Sequence, residues 1–176
     1  SGDSASIARR LNLAMDSVSS GTIDQKQREL GVALALATSA GTVIPPETTQ
    51  AWQQVSEACT INSMLVQAAS SGRRRLLEIA VARATNSSAF TDQAGPEDKE
   101  LLRSAEQKLQ HLQKEFHAKR RLDQASTAAD PRKMEDAIAH AESMGIGESR
   151  EVADAKKLLV RVKAGESPVS TDLPLD

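Results

Sequence analysis

The sequence predicts an all-α fold of about seven helices, and three observations favour it. An alanine-rich stretch recurs three times along the 176 residues. Aromatic residues make up only 2% of the chain, whereas β-strands favour aromatic and β-branched side chains. Helix-capping and helix-ending residues separate the apolar segments. Two arrangements fit this pattern: an α-solenoid-like array of helical hairpin repeats, and a right-angle or antiparallel helix bundle.

The alanine-rich stretches share the pattern Ala-aliphatic-Ala-x-Ala, followed by small polar residues. They cover residues 33–41, 80–88 and 137–145. Small side chains let a second helix approach closely, and a terminal Gly provides a left-handed helix stop. The middle alanine of each copy is therefore expected at a close-packed site; these are Ala35, Ala82 and Ala139.

The spacing of aliphatic residues around each copy predicts how the chain is divided. Residues 1–6 are small and polar and are expected to be flexible. Residues 7–164 are predicted to form a single helical repeat domain, and residues 165–176 a disordered or draped tail. The approximate repeats within the domain cover residues 9–62, 63–118 and 119–164.

The helices follow from their capping residues and apolar spacing. They are predicted over residues 7–19, 25–40, 46–70, 73–86, 97–128, 131–144 and 148–164. Ser6, Asp24 and Asp130 are the expected N-caps of the first, second and sixth helices. Pro46 and Pro131 suit the first turn of their helices.

Two local expectations concern the middle of the chain. In the helix over residues 73–86, Leu76, Leu77, Ile79 and Ala80 are expected to be buried. Residues 86–96 are predicted to be a polar loop that Phe90 anchors.

Net charge and cysteine content limit the partners and the cellular compartment expected for this protein. The net charge of −2 favours neither nucleic acid nor an acidic membrane as a partner. The single cysteine, Cys59, excludes an internal disulfide and suits a reducing compartment, so an intracellular, cytoplasmic location is expected. No apolar run approaches the roughly 20 residues that a membrane-spanning helix needs.

No catalytic, cofactor-binding or metal-binding constellation is visible in the sequence. His111 and His117 are six residues apart, unlike two metal ligands at i and i+4 on a helix. Cys59 has no activating partner nearby in sequence, so it is interpreted as a small packed residue. We therefore expect a protein that is not an enzyme and carries no cofactor.

The candidate partner-binding residues are one aromatic residue and two basic runs. They are Trp52, Arg73, Arg74, Arg75, Lys119, Arg120 and Arg121. A Trp serves either as a core anchor or as an interface hot spot. The basic runs would bind acidic partners or phosphate, or would form a solvated helix face.

These observations favour a non-enzymatic helical scaffold or adaptor that binds other proteins, or a structural component of a larger assembly. The alternative is a small-ligand-binding or enzymatic helical domain whose site the sequence does not reveal. A nucleic-acid-binding protein would require both basic runs on one surface.

Overall fold

The computed structural model describes residues 2–17 and 20–165, and the all-α prediction is confirmed. Of these residues 85% are helical and none lies in a strand. The helices are α1 (Gly2–Ser17), α2 (Ile23–Ser39), α3 (Pro46–Ser71), α4 (Arg74–Asn86), α5 (Ser88–Gln93), α6 (Pro96–Ala128), α7 (Pro131–Ser143) and α8 (Arg150–Lys163). They fit either predicted arrangement, a helical bundle or a repeat array. The predicted tail over residues 165–176 lies, except for Gly165, outside the described residues.

The additional helix is α5, which occupies the predicted loop over residues 86–96. Ser87 ends α4 in an extended conformation and caps α5, since its Oγ accepts a hydrogen bond from the Phe90 N–H at 3.2 Å. Phe90 is buried in the core. The loop prediction was wrong because a capping Ser and a buried aromatic residue stabilise a short helix in a polar segment.

The helix ends confirm some predicted caps and correct others. The Asp130 carboxylate accepts hydrogen bonds from Arg132 N and Lys133 N, as an N-cap should. The predicted cap at Asp24 was wrong, because Thr22, two residues earlier, caps α2 and forms a capping box with Gln25.

The first helix differs at its start from the sequence-based expectation. Helix α1 begins at Gly2, within the segment 1–6 that the sequence predicts to be flexible. Asp3 lies in the first turn, where a negative charge interacts favourably with the helix dipole. Ser6, the expected N-cap, is therefore inside the helix.

The chain divides into two compact units, Ser1–Leu109 and Gln110–Asp176, and the boundary falls inside α6. In the first unit, α3 packs against α1, α2, α4 and α5. One of its apolar clusters joins the first three helices through Leu11, Ala14, Leu30, Ala33 and Ala37. No helix among the described residues combines the length and apolar character needed to cross a membrane.

The second unit, described to Gly165, contains the remainder of α6 together with α7 and α8. Its core cluster consists of Ala118, Leu122, Ala125, Met134, Ala137, Ile138, Ala141, Val152 and Ala155. Both units therefore bury mainly alanine and aliphatic side chains, which allows helices to pack closely.

The three alanine-rich stretches share a burial pattern, but the predicted packing site was wrong. The middle alanines Ala35, Ala82 and Ala139 are exposed. The flanking alanines are buried in every copy; they are Ala33, Ala37, Ala80, Ala84, Ala137 and Ala141. Residues four positions apart lie on the same helix face, so the first and last alanines of the pattern face the core and the middle one does not.

The first and third copies also end alike. The N–H of Thr42 donates to the Ala37 carbonyl at 2.9 Å, and that of Ile146 donates to the Ala141 carbonyl at 3.1 Å. The intervening Gly41 and Gly145 have φ of 65° and 80°. These are the hydrogen bonds of a Schellman stop. The second copy has no glycine at this point and continues into α5 instead.

Candidate functional site

A buried carboxylate joins the starts of α2 and α6. The Asp98 Oδ2 accepts hydrogen bonds from the backbone N–H of Ile23 at 3.1 Å and of Gly95 at 2.9 Å. Lys26 is a buried residue, 5% exposed, and its ammonium donates to the Gln93 carbonyl at 2.6 Å. Burial lowers the pKa of Lys26, and the Asp98 carboxylate partly raises it. These contacts link the start of α2 to the end of α5 and the start of α6.

Cys59, the only cysteine of the sequence, lies beside this region with its thiol near two acceptors. Cys59 donates its thiol hydrogen to Gln27 Oε1 at 2.9 Å and to Asp24 Oδ1 at 3.4 Å. Burial raises the pKa of the Cys59 thiol, and the Asp24 carboxylate raises it further. The thiolate, which is the reactive form, is therefore disfavoured.

Helix α4 presents a basic and apolar outer face, which we call the α4 face: Arg75, Leu76, Ile79 and Arg83. Leu76 is 44% exposed and Ile79 is 49% exposed, so the prediction that both are buried was wrong. The adjacent stripe of α4 is buried in the core and consists of Leu77, Ala80 and Ala84. Two apolar side chains therefore remain exposed between arginines on this face.

A groove runs between α3 and α4, and Ile79 and Arg83 of the α4 face line part of it. Its volume is about 450 Å³, and it is lined by Glu57, Ile61, Ile79, Ala82, Arg83, Asn86 and Ser87. At its far end, the Ser87 hydroxyl donates to Glu57 Oε1 at 3.3 Å. The groove is open, with Glu57 and Ile61 of α3 on one side and residues of α4 on the other.

A second surface groove lies between α1 and α2, and we call it the α1–α2 groove. Its main part has a volume of about 440 Å³ and is lined by Arg10, Leu13, Ala14, Arg28, Glu29, Val32, Ala33 and Leu36. Leu13 is 60% and Val32 61% exposed. The sequence-based candidates include none of these residues.

Trp52 lies in the core cluster of α1, α2 and α3 and is half-buried. A Cβ atom placed on Gly31 would lie 3.2 Å from Trp52 Cη2, so the ring packs directly on the α2 backbone. Two roles were expected of Trp52, a core anchor and an interface hot spot. This contact fits the core anchor.

The two basic runs lie in different units. Arg73 and Arg75 are exposed at the start of α4, and Arg74 pairs with Glu78 one turn later. Lys119 pairs with Glu115 at 2.8 Å and with Glu151 at 3.6 Å. The hydrogen bond to Glu115 raises the pKa of Lys119. Arg74 and Lys119 therefore both have carboxylate partners, and the first run also adjoins the exposed apolar residues of the α4 face.

The histidines belong to no cluster of metal-ligand side chains in the described part of the chain. Within residues 2–17 and 20–165, no group of three or more His, Cys, Asp or Glu side chains is arranged to hold a metal ion. His117 packs edge-on against Phe116, with ring centroids 5.8 Å apart.

Compared with protein-family models, curated proteins and solved structures, the chain matches none of them.

Proposed function

We propose that this protein is a non-enzymatic helical scaffold or adaptor that binds another protein through the α4 face. The observation that carries the proposal is the exposure of Leu76 and Ile79 between arginines, beside an open groove. Exposed apolar residues at i and i+3 on a helix offer anchor sites for a partner helix or extended segment.

The charge of this face favours an acidic partner. Arg75 and Arg83 of this face, and Arg73 just before α4, have no ion pair within the described part of the chain. Glu57 is the one acid lining the groove. Complementary charge accelerates association and selects between partners more than it raises affinity. An amphipathic segment with apolar anchors and acidic flanks fits these features.

The test is site-specific photo-cross-linking in extract of cells that contain the protein. A photoreactive amino acid replaces Ile79, and the control carries it at Val160, an exposed residue of α8. We expect one protein to cross-link at position 79 and not at position 160. Adding Arg75→Glu and Arg83→Glu should reduce the yield of the position-79 cross-linked product about tenfold. Each substitution turns an attractive contact with the acidic partner into a repulsive one.

Two results would overturn the proposal. The first is a cross-linking pattern that is the same at positions 79 and 160. The second is a position-79 product that the charge reversals leave unchanged. The alternative, a small-ligand-binding or enzymatic domain, would be supported if the photoreactive residue at position 79 cross-linked a small molecule from a metabolite mixture and no protein.

A further inference from the structure

The α4 face and the groove between α3 and α4 together extend along most of α4. Leu76 lies one turn before Ile79, and the groove continues from Ile79 through Ala82 to Ser87. From Leu76 to Ser87 the chain rises about 16 Å, which a helix of about three turns would cover. Ile61 of α3, only 2% exposed, forms an apolar floor. The combined surface therefore has the length of a helical segment and apolar residues along it.

A helix fits this groove better than an extended segment does. Both walls are helices, whose backbone N–H and C=O groups are paired internally except at the helix ends. An extended segment docks by backbone hydrogen bonds to a strand edge, and residues 2–17 and 20–165 contain no strand. A helix pairs its own backbone groups and needs only side-chain contacts. Ala82 is exposed on the groove wall, and its small side chain leaves room for a second helix to approach.

The charges along this surface differ between its two ends. Arg75 lies near the turn that joins α3 to α4, and Glu57 lies at the far end, beside Ser87. The Arg83 Nη1 lies 4.0 Å from the Met64 Sδ, and Met64 is about two helical turns nearer the α3–α4 turn than Glu57. The surface is therefore basic toward the turn and acidic at the far end.

We infer that the partner of the α4 face is an amphipathic helix of about three turns that lies antiparallel to α4, an inference that rests on the proposed function. The C-terminal end of a helix carries partial negative charge on its unpaired carbonyls, and the N-terminal end carries partial positive charge. The C-terminal end of the partner therefore meets Arg75, and its N-terminal end meets Glu57. Arg74 and Glu78 pair with each other and favour neither direction. The acids of the partner lie in its middle and C-terminal part, opposite Arg83 and Arg75.

The first experiment fills the groove and uses the cross-linking assay with the photoreactive residue at position 79. Ala82→Leu places a larger side chain on the groove wall, so the yield of the position-79 product should fall at least about tenfold. The matched control is Ala139→Leu, at the equivalent exposed alanine of the third alanine-rich stretch, and it should leave the yield unchanged. Circular dichroism and thermal unfolding check that both variants are folded.

The second experiment measures the conformation and direction of the bound partner. The photoreactive residue replaces Leu76 in one variant and Asn86 in another, since both are exposed, and mass spectrometry of the digested products identifies the attached partner residues. The two positions are about 15 Å apart along α4. On a helix, the attached residues should be about ten apart in the partner sequence, whereas on an extended segment they would be only about four or five apart. In an antiparallel helix, position 76 attaches nearer the C-terminus of the partner.

Each outcome decides between arrangements. A spacing near ten, with position 76 attached toward the C-terminus of the partner, supports the inference. A spacing of four or five, the reverse order, or no product at position 86 overturns the inference and leaves the proposed function standing. The same holds if Ala82→Leu lowers the position-79 yield no more than Ala139→Leu does. If no protein cross-links at position 79, the proposed function fails and the inference fails with it.

Discussion

The Asp98 carboxylate caps a helix that starts 75 residues before it in the chain, through a 3.1 Å hydrogen bond from the Ile23 N–H. The same oxygen accepts a hydrogen bond from Gly95 N at the start of its own helix. One buried side chain thus satisfies backbone donors at the ends of two helices, where no intrahelical partner exists.

We expect Asp98→Ala to lower the free energy of unfolding by about 2–4 kcal/mol. The substitution leaves two N–H groups without their acceptor and removes the carboxylate that favours the charged form of Lys26. Asp98→Asn should cost less, because an acceptor oxygen remains. Urea unfolding followed by Trp52 fluorescence measures the first unit directly. Asp92→Ala, on the exposed surface of α5, is the control and should stay within about 0.5 kcal/mol.

In the alanine-rich stretches, replacing an alanine with a larger residue should destabilise the protein only where that alanine is buried. Ala37→Leu, Ala84→Leu and Ala141→Leu should each cost about 1–3 kcal/mol, because each side chain is buried against a neighbouring element. Ala35→Leu, Ala82→Leu and Ala139→Leu should change stability by at most about 0.5 kcal/mol. Denaturant unfolding followed by circular dichroism checks all six. Equal losses at Ala35 and Ala37 would contradict the burial pattern.

Gly31 and Trp52 should show energetic coupling. Replacing a helical Gly with Ala ordinarily stabilises by about 0.5–1 kcal/mol. At Gly31 the new Cβ would lie 3.2 Å from Trp52 Cη2 and 3.3 Å from Cζ3, so we expect this gain to be reduced or lost. In a Trp52→Ala background, Gly31→Ala should recover its full gain. A double-mutant cycle by thermal or urea unfolding measures the difference, and identical effects in both backgrounds would show that the contact carries no energy.

Alkylation of Cys59 should be slow near neutral pH. Burial and Asp24 raise the pKa of its thiol, so a smaller fraction is thiolate at a given pH than in an unfolded chain. Asp24→Asn keeps an acceptor oxygen but removes the negative charge, so it should lower the thiol pKa and increase the iodoacetamide rate at pH 8. The pH–rate profile measures the shift. Asp136→Asn, in the second unit, is the control; if it accelerates alkylation equally, Asp24 is not the cause.

Local signals in the sequence were sufficient for most helices but not for the surfaces. Asp130 followed by Pro131 identified the start of α7 because cap and first turn are adjacent in the chain. Helix α5 was missed because its stability depends on Phe90 reaching a core built by other helices. The role of Asp98 depends on Ile23, a partner too distant in sequence for any local pattern.

The candidate surfaces, too, could not be located from local sequence patterns. Leu76 and Leu77 are adjacent and equally apolar, yet only Leu77 is buried. Hydrophobicity indicates that a helix has a core face, but where apolar residues fill two neighbouring stripes, the packing of α3 decides which one is covered. The exposure of Leu13 and Val32 could not be inferred for the same reason. The arginines beginning at Arg73 were visible as a basic run, although the apolar residues next to them were assigned to the core.

The shared cap at Asp98 also has a consequence for hydrogen exchange. Amides at helix starts usually exchange quickly, because helix ends open locally without disturbing the core. The Ile23 amide donates to a carboxylate on α6, so it is freed only when α2 and α6 separate, whereas the Gly95 amide bonds to Asp98 within the first turn of its own helix. The Ile23 amide should therefore exchange more slowly than the Gly95 amide, although both donate to the same oxygen.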